Sequence, residues 1–426
     1  MKKRQNIFVT FLELLKVKHT TAFSNQYFNE HPHKYNLFGL SKMLSKYGIN
    51  ALIIALPSCQ MQNSDVPYID VNKKYPEKEI ILSDIAEISY IHLNSDDSDY
   101  LYDGSINVIS ENTLVVVDKS GTILFFSKDG MPKSRFNCLG NGPGEYRNVR
   151  NVLYDEASDD LFVIESRKIH VYSSAGRQKR EIMLPQGTII NGIVSFDDHS
   201  LFFYDVSKEI KRTIANNADL TSEDWIAPFY CISKIDGTIL DYLELINFST
   251  YLGIYKNGIR LSTPTKRIVK CSEGVLLCNA GIDTVYLYGY EKSLTPVLFK
   301  TPPVTSLHPI EFLDNCYDIG NYQFIKIIIV QEGDIYPGIF PAKYFVRDKR
   351  TGEVFKQKFL LTDYKGKEVI ISYDTGGIYE KGFWFELDLT ELKTAYDDNK
   401  LSGQLKELVA TLKDDDNDVI VLVNFK

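Results

Sequence analysis

The chain's stock of acids, bases and ligands is seven histidines, six cysteines and 56 Asp and Glu side chains. Their spacing spells none of the short catalytic motifs. No G-x-S-x-G, H-E-x-x-H or phosphate loop occurs, and His92, His170, His199 and His308 lie far apart with no companion motif. His31-Pro-His33 is one dipeptide-spaced pair with no third ligand nearby, which reads as a surface turn. Cys138, Cys231, Cys271, Cys278 and Cys316 are odd in number and form no C-x-x-C pair, so metal and redox sites are unsupported. Buried thiols are the main reading for them, with one disulfide between Cys271 and Cys278 on adjacent strands as the alternative. Asp414 to Asp418 has the acidity of a calcium loop. Such a loop needs Gly at its sixth place and Glu at its twelfth, where Val419 and Phe425 stand, so a solvated turn is expected. No catalytic residue, metal or cofactor is assigned.

Two further groups of residues suit recognition. Gly140-Asn-Gly-Pro-Gly144 has the glycines of a phosphate cradle, but such a loop must run straight into a helix whose N-terminus faces the phosphates. Pro143 and Glu145-Tyr146 fit a tight turn better, leaving Glu145, Arg147 and Arg150 as candidate ligand contacts beside it. The 27 Tyr, 24 Phe and two Trp residues offer stacking faces, most of them core. Trp225 lies in a polar insertion, Asp219 to Pro228, and is the expected exposed ring; Trp384 is the other tryptophan.

Charge divides the chain. Residues 1–58 carry eight Lys/Arg and two Asp/Glu, about +6, and the rest carries 40 against 54, about −14. An acidic body of that kind is repelled by phosphate backbones, so nucleic acid is not an expected partner. Where the two parts meet, Ala51-Leu-Ile-Ile-Ala-Leu-Pro-Ser-Cys59 is an apolar run ending in a small residue and a cysteine. It resembles a bacterial lipoprotein signal, which implies lipid attachment at Cys59 and a membrane association through that anchor alone. The competing reading is a buried segment with a structural cysteine. Upstream, Phe11 to Thr20, Asn29 to His33 and Leu40 to Ile49 resemble the opening helices of the cysteine-peptidase-like domain of bacteriocin-exporting transporters and some vitamin K epoxide reductase proteins. No cysteine precedes Cys59, so the nucleophile is missing and the activity is not implied. Residues 1–48 are either a fusion relic or a small helical domain, and 49–74 the signal-like segment and linker.

From about residue 80 the chain is written as short strands rich in Val, Ile, Phe and Tyr, separated by Gly, Asp, Asn and Ser turns. Leu114 to Gly130 matches Leu161 to Gly176 at a shift of 47 residues: strand, polar break, strand, turn ending in Gly. That is the period of a propeller blade. Leu201 to Asp205 with Phe229 to Gly237, Val275 to Asn279 with Thr284 to Tyr288, Tyr344 to Gly352, and Gly382 to Glu386 supply four weaker copies. An apolar stripe of Leu405, Leu408, Val409 and Leu412 predicts one C-terminal helix before a last strand, Val419 to Phe425. That strand would close the ring against the Ile80 to Leu93 region, since an open ring leaves two unpaired edges. The expectation is an all-β fold, a six-bladed β-propeller over 75–426 with a helical N-terminal head.

Gly140-Asn-Gly-Pro-Gly-Glu-Tyr146 followed by Leu161-Phe-Val-Ile-Glu165, and the ending Asp415 to Lys426, resemble the six-bladed, NHL-like (TolB-like) propeller lipoproteins of Bacteroidetes. Asp418 stands where that family's ending usually has proline. The resemblance implies an envelope address, periplasmic or at the outer-membrane surface, or cytoplasmic if the Cys59 signal is unused. The function expected is a monomeric, non-enzymatic binding or scaffolding module for a peptide, protein or glycan. The alternative is a lyase or hydrolase with a metal in the central channel, which would bring at least two of the four later histidines to the axis.

Overall fold

The computed structural model describes residues 66–426, apart from 166, 209, 211–225, 247–252, 257–258, 263–267, 280, 308, 331–339, 374 and 380–381. Cys59, the head, Trp225 and His308 therefore lie outside the described residues. The chain enters through β1 (Tyr68–Asp70), β2 (Glu77–Ile81), a short helix α1 (Leu82–Ile85) and β3 (Ala86–His92). Blade 1 is β4 (Gly104–Ile109), β5 (Thr113–Asp118), β6 (Ile123–Ser127) and β7 (Pro132–Phe136). Blade 2 is β8 (Asn151–Asp155), β9 (Asp160–Ile164), β10 (Lys168–Tyr172) and β11 (Gln178–Met183). Blade 3 is β12 (Ile190–Ser195), β13 (Ser200–Asp205), β14 (Ile226–Ser233) and β15 (Ile239–Ile246), and a hairpin follows, β16 (Gly253–Lys256) with β17 (Ile259–Ser262). Blade 4 is β18 (Ile268–Cys271), β19 (Gly274–Leu277), β20 (Thr284–Gly289) and β21 (Leu294–Thr301). Blade 5 is β22 (Ile310–Ile319), β23 (Tyr322–Val330), β24 (Ala342–Asp348) and β25 (Val354–Leu360), with β26 (Glu368–Val369) on its edge. Blade 6 takes β27 (Gly377–Tyr379) and β28 (Gly382–Leu387), then two helices, α2 (Leu389–Asp397) and α3 (Gly403–Val409), then β29 (Val419–Phe425).

This is the expected six-bladed ring, and it closes as expected. Strand β29 pairs antiparallel with β28 on one side and β3 on the other, in the register Val419↔His92 through Phe425↔Ala86. One blade thus joins the C-terminal strand to a strand that precedes blade 1, which closes the ring at the seam. On the way to β3 the chain adds a parallel fifth strand to two blades, β1 on β21 and β2 on β25.

The alternation of side chains explains why the strands read as unbroken apolar runs. Each blade is packed between two others, so both faces of its middle strands are buried. On β5, Leu114 and Val116 join the cluster shared with blade 6, which also holds Ile420 and Leu422 of β29. Val115 of the same strand faces the other way, packing with Leu161 and Val163 of β9. Strand β9 repeats the arrangement, sending Phe162 and Ile164 toward Leu201 and Phe203 of β13. Each such side chain contributes about 1.5–3 kcal/mol of burial. The glycines ending the matched repeats sit in the left-handed region, Gly130 at φ 87° and Gly176 at φ 78°, which turns the third strand into the fourth.

Two expectations are corrected. Two helices, not one, precede the closing strand: α2 is capped by the Asp388 carboxylate, which accepts from Glu391 N at 2.8 Å, and buries Leu389, Leu392 and Ala395. Leu405 and Val409 of the predicted stripe are buried on α3, and Leu412 lies just past its end. The acidic turn is only partly solvated. Asn417 is buried, its amide donating to Leu93 O at 3.0 Å and Tyr100 O at 3.1 Å, so the turn clasps the connection between β3 and β4. The five described cysteines are free thiols, in keeping with the main reading of them, and the disulfide alternative falls. In the β18–β19 ladder Cys271 faces Gly274 while Leu277 faces Ile268, which puts Cys271 and Cys278 at opposite ends of the hairpin, out of disulfide reach.

Candidate functional site

The first strands of the blades stand side by side around the axis, β27 beside β4, β4 beside β8, and β18 between β12 and β22. They enclose a cavity of about 2860 Å³. Because neighbouring strands in a blade are antiparallel, the connection into each blade and the turn between its second and third strands share one face of the ring. In blade 2 these two segments are stitched together: Arg150 N donates to Ile164 O at 3.1 Å, and Arg147 N to Glu165 Oε1 at 2.8 Å. Arg147 and Arg150 on the first segment, and Arg167 and Lys168 on the second, all line the cavity. The three arginines are exposed, and among the described residues no carboxylate lies within 4 Å of their guanidinium groups. Lys168 is half-buried, 3.6 Å from Glu181.

Beneath this rim sits His170, fully buried, with Nε2 3.3 Å from Glu165 Oε1. Its Nδ1 is 3.2 Å from Glu181 Oε1 but poorly aligned for a hydrogen bond. Burial, helped by Lys168, pushes the imidazole below its ordinary value, and the two carboxylates only partly offset this. A neutral ring that orients Glu165, which in turn holds the Arg147 backbone, is a support for the rim.

Amide side chains continue the wall: Asn107 of blade 1, Asn148 and Asn151 of blade 2, and Asn191 of blade 3. Asn107 Oδ1 is buried without a hydrogen-bond partner among the described residues. In blade 6, Trp384 and Glu386 line the same cavity. Glu386 accepts from Tyr102 OH at 3.4 Å, and burial, with Asp418 adding to it, pushes the carboxyl up to about 7. At the opposite face Lys270 donates to Phe196 O and, at 2.7 Å, to Tyr290 OH, with its ammonium 4.6 Å from the Tyr290 ring.

Of the residues singled out from sequence, Arg147 and Arg150 line the cavity and Glu145 does not. The Glu145 carboxylate accepts from Gly142 N at 2.7 Å, and a Cβ on Gly140 would fall 1.9 Å from its Oε2. Glu145 is thus spent on closing its own turn, which Tyr172 OH fastens through Gly144 O at 2.6 Å. His92, His170 and His199 do not line the cavity. Arg167, Lys168 and Glu386 were missed. The repeat alignment carried a signal for the first two, since blade 2 has Arg-Lys in its polar break where blade 1 has Ser120-Gly121. For Glu386 the signal was a lone charge closing the apolar run Phe383-Trp-Phe385.

The family model described as "Domain of unknown function (DUF4934)" matches residues 66–424. Among solved structures, the "Putative exported protein" of Bacteroides fragilis is similar over 85% of this chain and 99% of its own, at 17% identity and a TM-score of 0.58. Virginiamycin B lyase of Staphylococcus aureus matches more loosely, with 10% identity, a TM-score of 0.37, and 80% of this chain and 100% of its own covered. The WD40 domain of Neurospora crassa Pan2 does so over 63% and 71%, at 9% identity and a TM-score of 0.35. None of the curated proteins compared matches the chain.

Proposed function

The chain belongs to the DUF4934 family, a domain of unknown function, and from that premise we propose that it is a non-enzymatic binding module that receives its ligand in the central channel of the ring. One observation carries this reading: an open axial cavity of about 2860 Å³ whose wall gathers amides, aromatic rings and arginines with no carboxylate partner among the described residues, from separate blades. A concave site with a few convergent polar groups is where a folded scaffold holds a ligand. We further propose an extracytoplasmic address, supported by the signal-like run ending at Cys59 and by the similarity to a protein described as exported. Cys59 would be the lipid attachment site.

Both parts have direct tests. Labelled palmitate is fed to cells producing the chain or its Cys59→Ala variant; label on the first and not the second, in the envelope fraction, is expected. An unlabelled cytosolic product would overturn the address. For binding, peptides and glycans are screened by thermal shift on the protein and on Asn191→Trp, which narrows the channel. A ligand that raises the melting temperature of the first alone is expected, and ligands indifferent to the substitution would refute a channel site.

Catalysis is the second reading, and Glu386 is the observation in its favour, because a cavity carboxyl shifted toward neutrality is suited to proton transfer. Turnover of a bound ligand that Glu386→Gln abolishes would select it.

A further inference from the structure

The acidic body of this protein carries, at one mouth of its channel, four cations on two segments bonded to each other. Arg147 and Arg150 come from the connection into blade 2, Arg167 from the turn between β9 and β10, and Lys168 from the first position of β10. Like charges so placed repel, and holding them together costs stability unless something else compensates. No described carboxylate compensates the three arginines within 4 Å. The one acid in the cavity wall among them, Glu165, is turned inward to the Arg147 backbone amide and to His170. The fold has therefore built a support that fixes the rim and leaves its guanidinium groups open to the channel. Guanidinium presents paired N–H donors in a fork that matches the two oxygens of a carboxylate or sulfate.

The residues next to this rim narrow the ligand class. Asn148 lies between Arg147 and Arg150 in the chain, Asn151 follows, and Asn107 and Asn191 stand on the first strands of blades 1 and 3. An amide offers a donor and an acceptor side by side, the complement of neighbouring sugar hydroxyls. Tyr373, exposed on the connection into blade 6 and lining the same cavity, supplies a face for a sugar ring. An acidic peptide would use the arginines equally well but carries few side-chain donors for four amides.

We propose that the channel mouth at blade 2 binds an acidic oligosaccharide, its carboxylate or sulfate groups on Arg147, Arg150, Arg167 and Lys168 and its hydroxyls on the adjacent asparagines. This rests on the reading of the channel as a binding site and names its ligand class.

The test is titration calorimetry of the full-length protein with four probes of matched length: an oligogalacturonate, a sulfated chondroitin oligosaccharide, a neutral oligosaccharide and an oligoglutamate. Arg147→Gln/Arg150→Gln and Arg167→Gln are compared with Lys413→Gln, a remote surface control, after circular dichroism shows all to be folded. Binding of one acidic oligosaccharide is expected, weakened about tenfold per arginine removed, falling with added salt, and unchanged in the control. The uronate and sulfate arms identify which anion is read. Preference for oligoglutamate, or for the neutral sugar, would overturn the acidic glycan while leaving the channel reading intact, provided that Asn191→Trp blocks it. Binding indifferent to every channel substitution would overturn both, and no binding of either acidic sugar would overturn the ligand class.

Discussion

Glu386 stands where the strand pattern calls for an apolar side chain. On β28, Phe383, Phe385 and Leu387 pack toward blade 5, while Trp384 packs toward blade 1, the side from which Tyr102 meets Glu386. Burial pushes its carboxyl up to about 7, and Asp418 pushes the same way. A folded-state value above the unfolded one means that the folded protein holds the proton more tightly. The stabilisation is full below the unfolded value near 4.5 and is lost as pH rises through about 7. Between pH 5 and 8 the wild type should lose on the order of 2 kcal/mol relative to Glu386→Gln, read as a difference in urea midpoints. Parallel pH profiles for the two would show the carboxyl to be solvated. Asp160 acts in a separate window. Burial raises its carboxyl, but Arg180 at 2.5 Å and Lys179 at 2.9 Å outweigh this and hold it below the ordinary value. Its contribution is present above pH 4 or so and lost in stronger acid. Neither role was legible in the sequence, because each depends on what the fold buries around the group.

At the scale of elements, legibility followed burial. The middle strands of a blade are apolar on both faces, so Leu114 to Phe126 and Leu161 to Tyr172 could be matched by eye and proved to be β5–β6 and β9–β10. The first strands are different. They line the channel, three of them carry register shifts, and β27 has only three residues, so they leave no periodic trace. That is why the cavity wall was mostly invisible beforehand and only Arg147 and Arg150, next to the glycine-rich turn, were named. Helix α2 was missed although Asp388-x-x-Glu391 and the Leu389, Leu392, Ala395 spacing encode it; the stronger stripe after it drew the single assignment. Strand β27 also yields a prediction. Gly377 pairs with Trp384, and a Cβ there would fall 2.4 Å from the indole Nε1. Gly377→Ala must displace the indole, costing about 1–3 kcal/mol and shifting tryptophan emission to the red. Gly289→Ala, whose Cβ would meet nothing nearer than 3.4 Å, is the control and should change stability little. Equal melting temperatures for the two variants would show that the indole is not confined by the glycine.

In the whole molecule, the two ends of the described chain are not equivalent. Strand β29 lies between β28 and β3 and contributes to two interfaces at once, Ile420 and Leu422 toward blade 1 and Val419, Val421 and Val423 toward blade 5. Removing it leaves β3 without a partner and β28 paired only to the three-residue β27, in the one blade that holds the ring shut. Strand β1 sits on the outer edge of blade 4, where it pairs through three residues and buries Ile69 and Val71. Removing its contacts uncovers an edge but opens nothing. A chain ending at Asp418 should therefore fail to fold, appearing as aggregate or as a protease-sensitive species without a cooperative transition. Ile69→Ala with Val71→Ala should keep one cooperative transition at a lower midpoint, a loss of about 3–6 kcal/mol for two buried aliphatic side chains. If the truncated chain melted cooperatively near the wild-type temperature, closure by β29 would be dispensable, and the stability of the ring would have to reside in the blade-to-blade clusters alone. If the β1 variant failed to fold as the truncation is expected to, the parallel outer strand would be part of the closure itself.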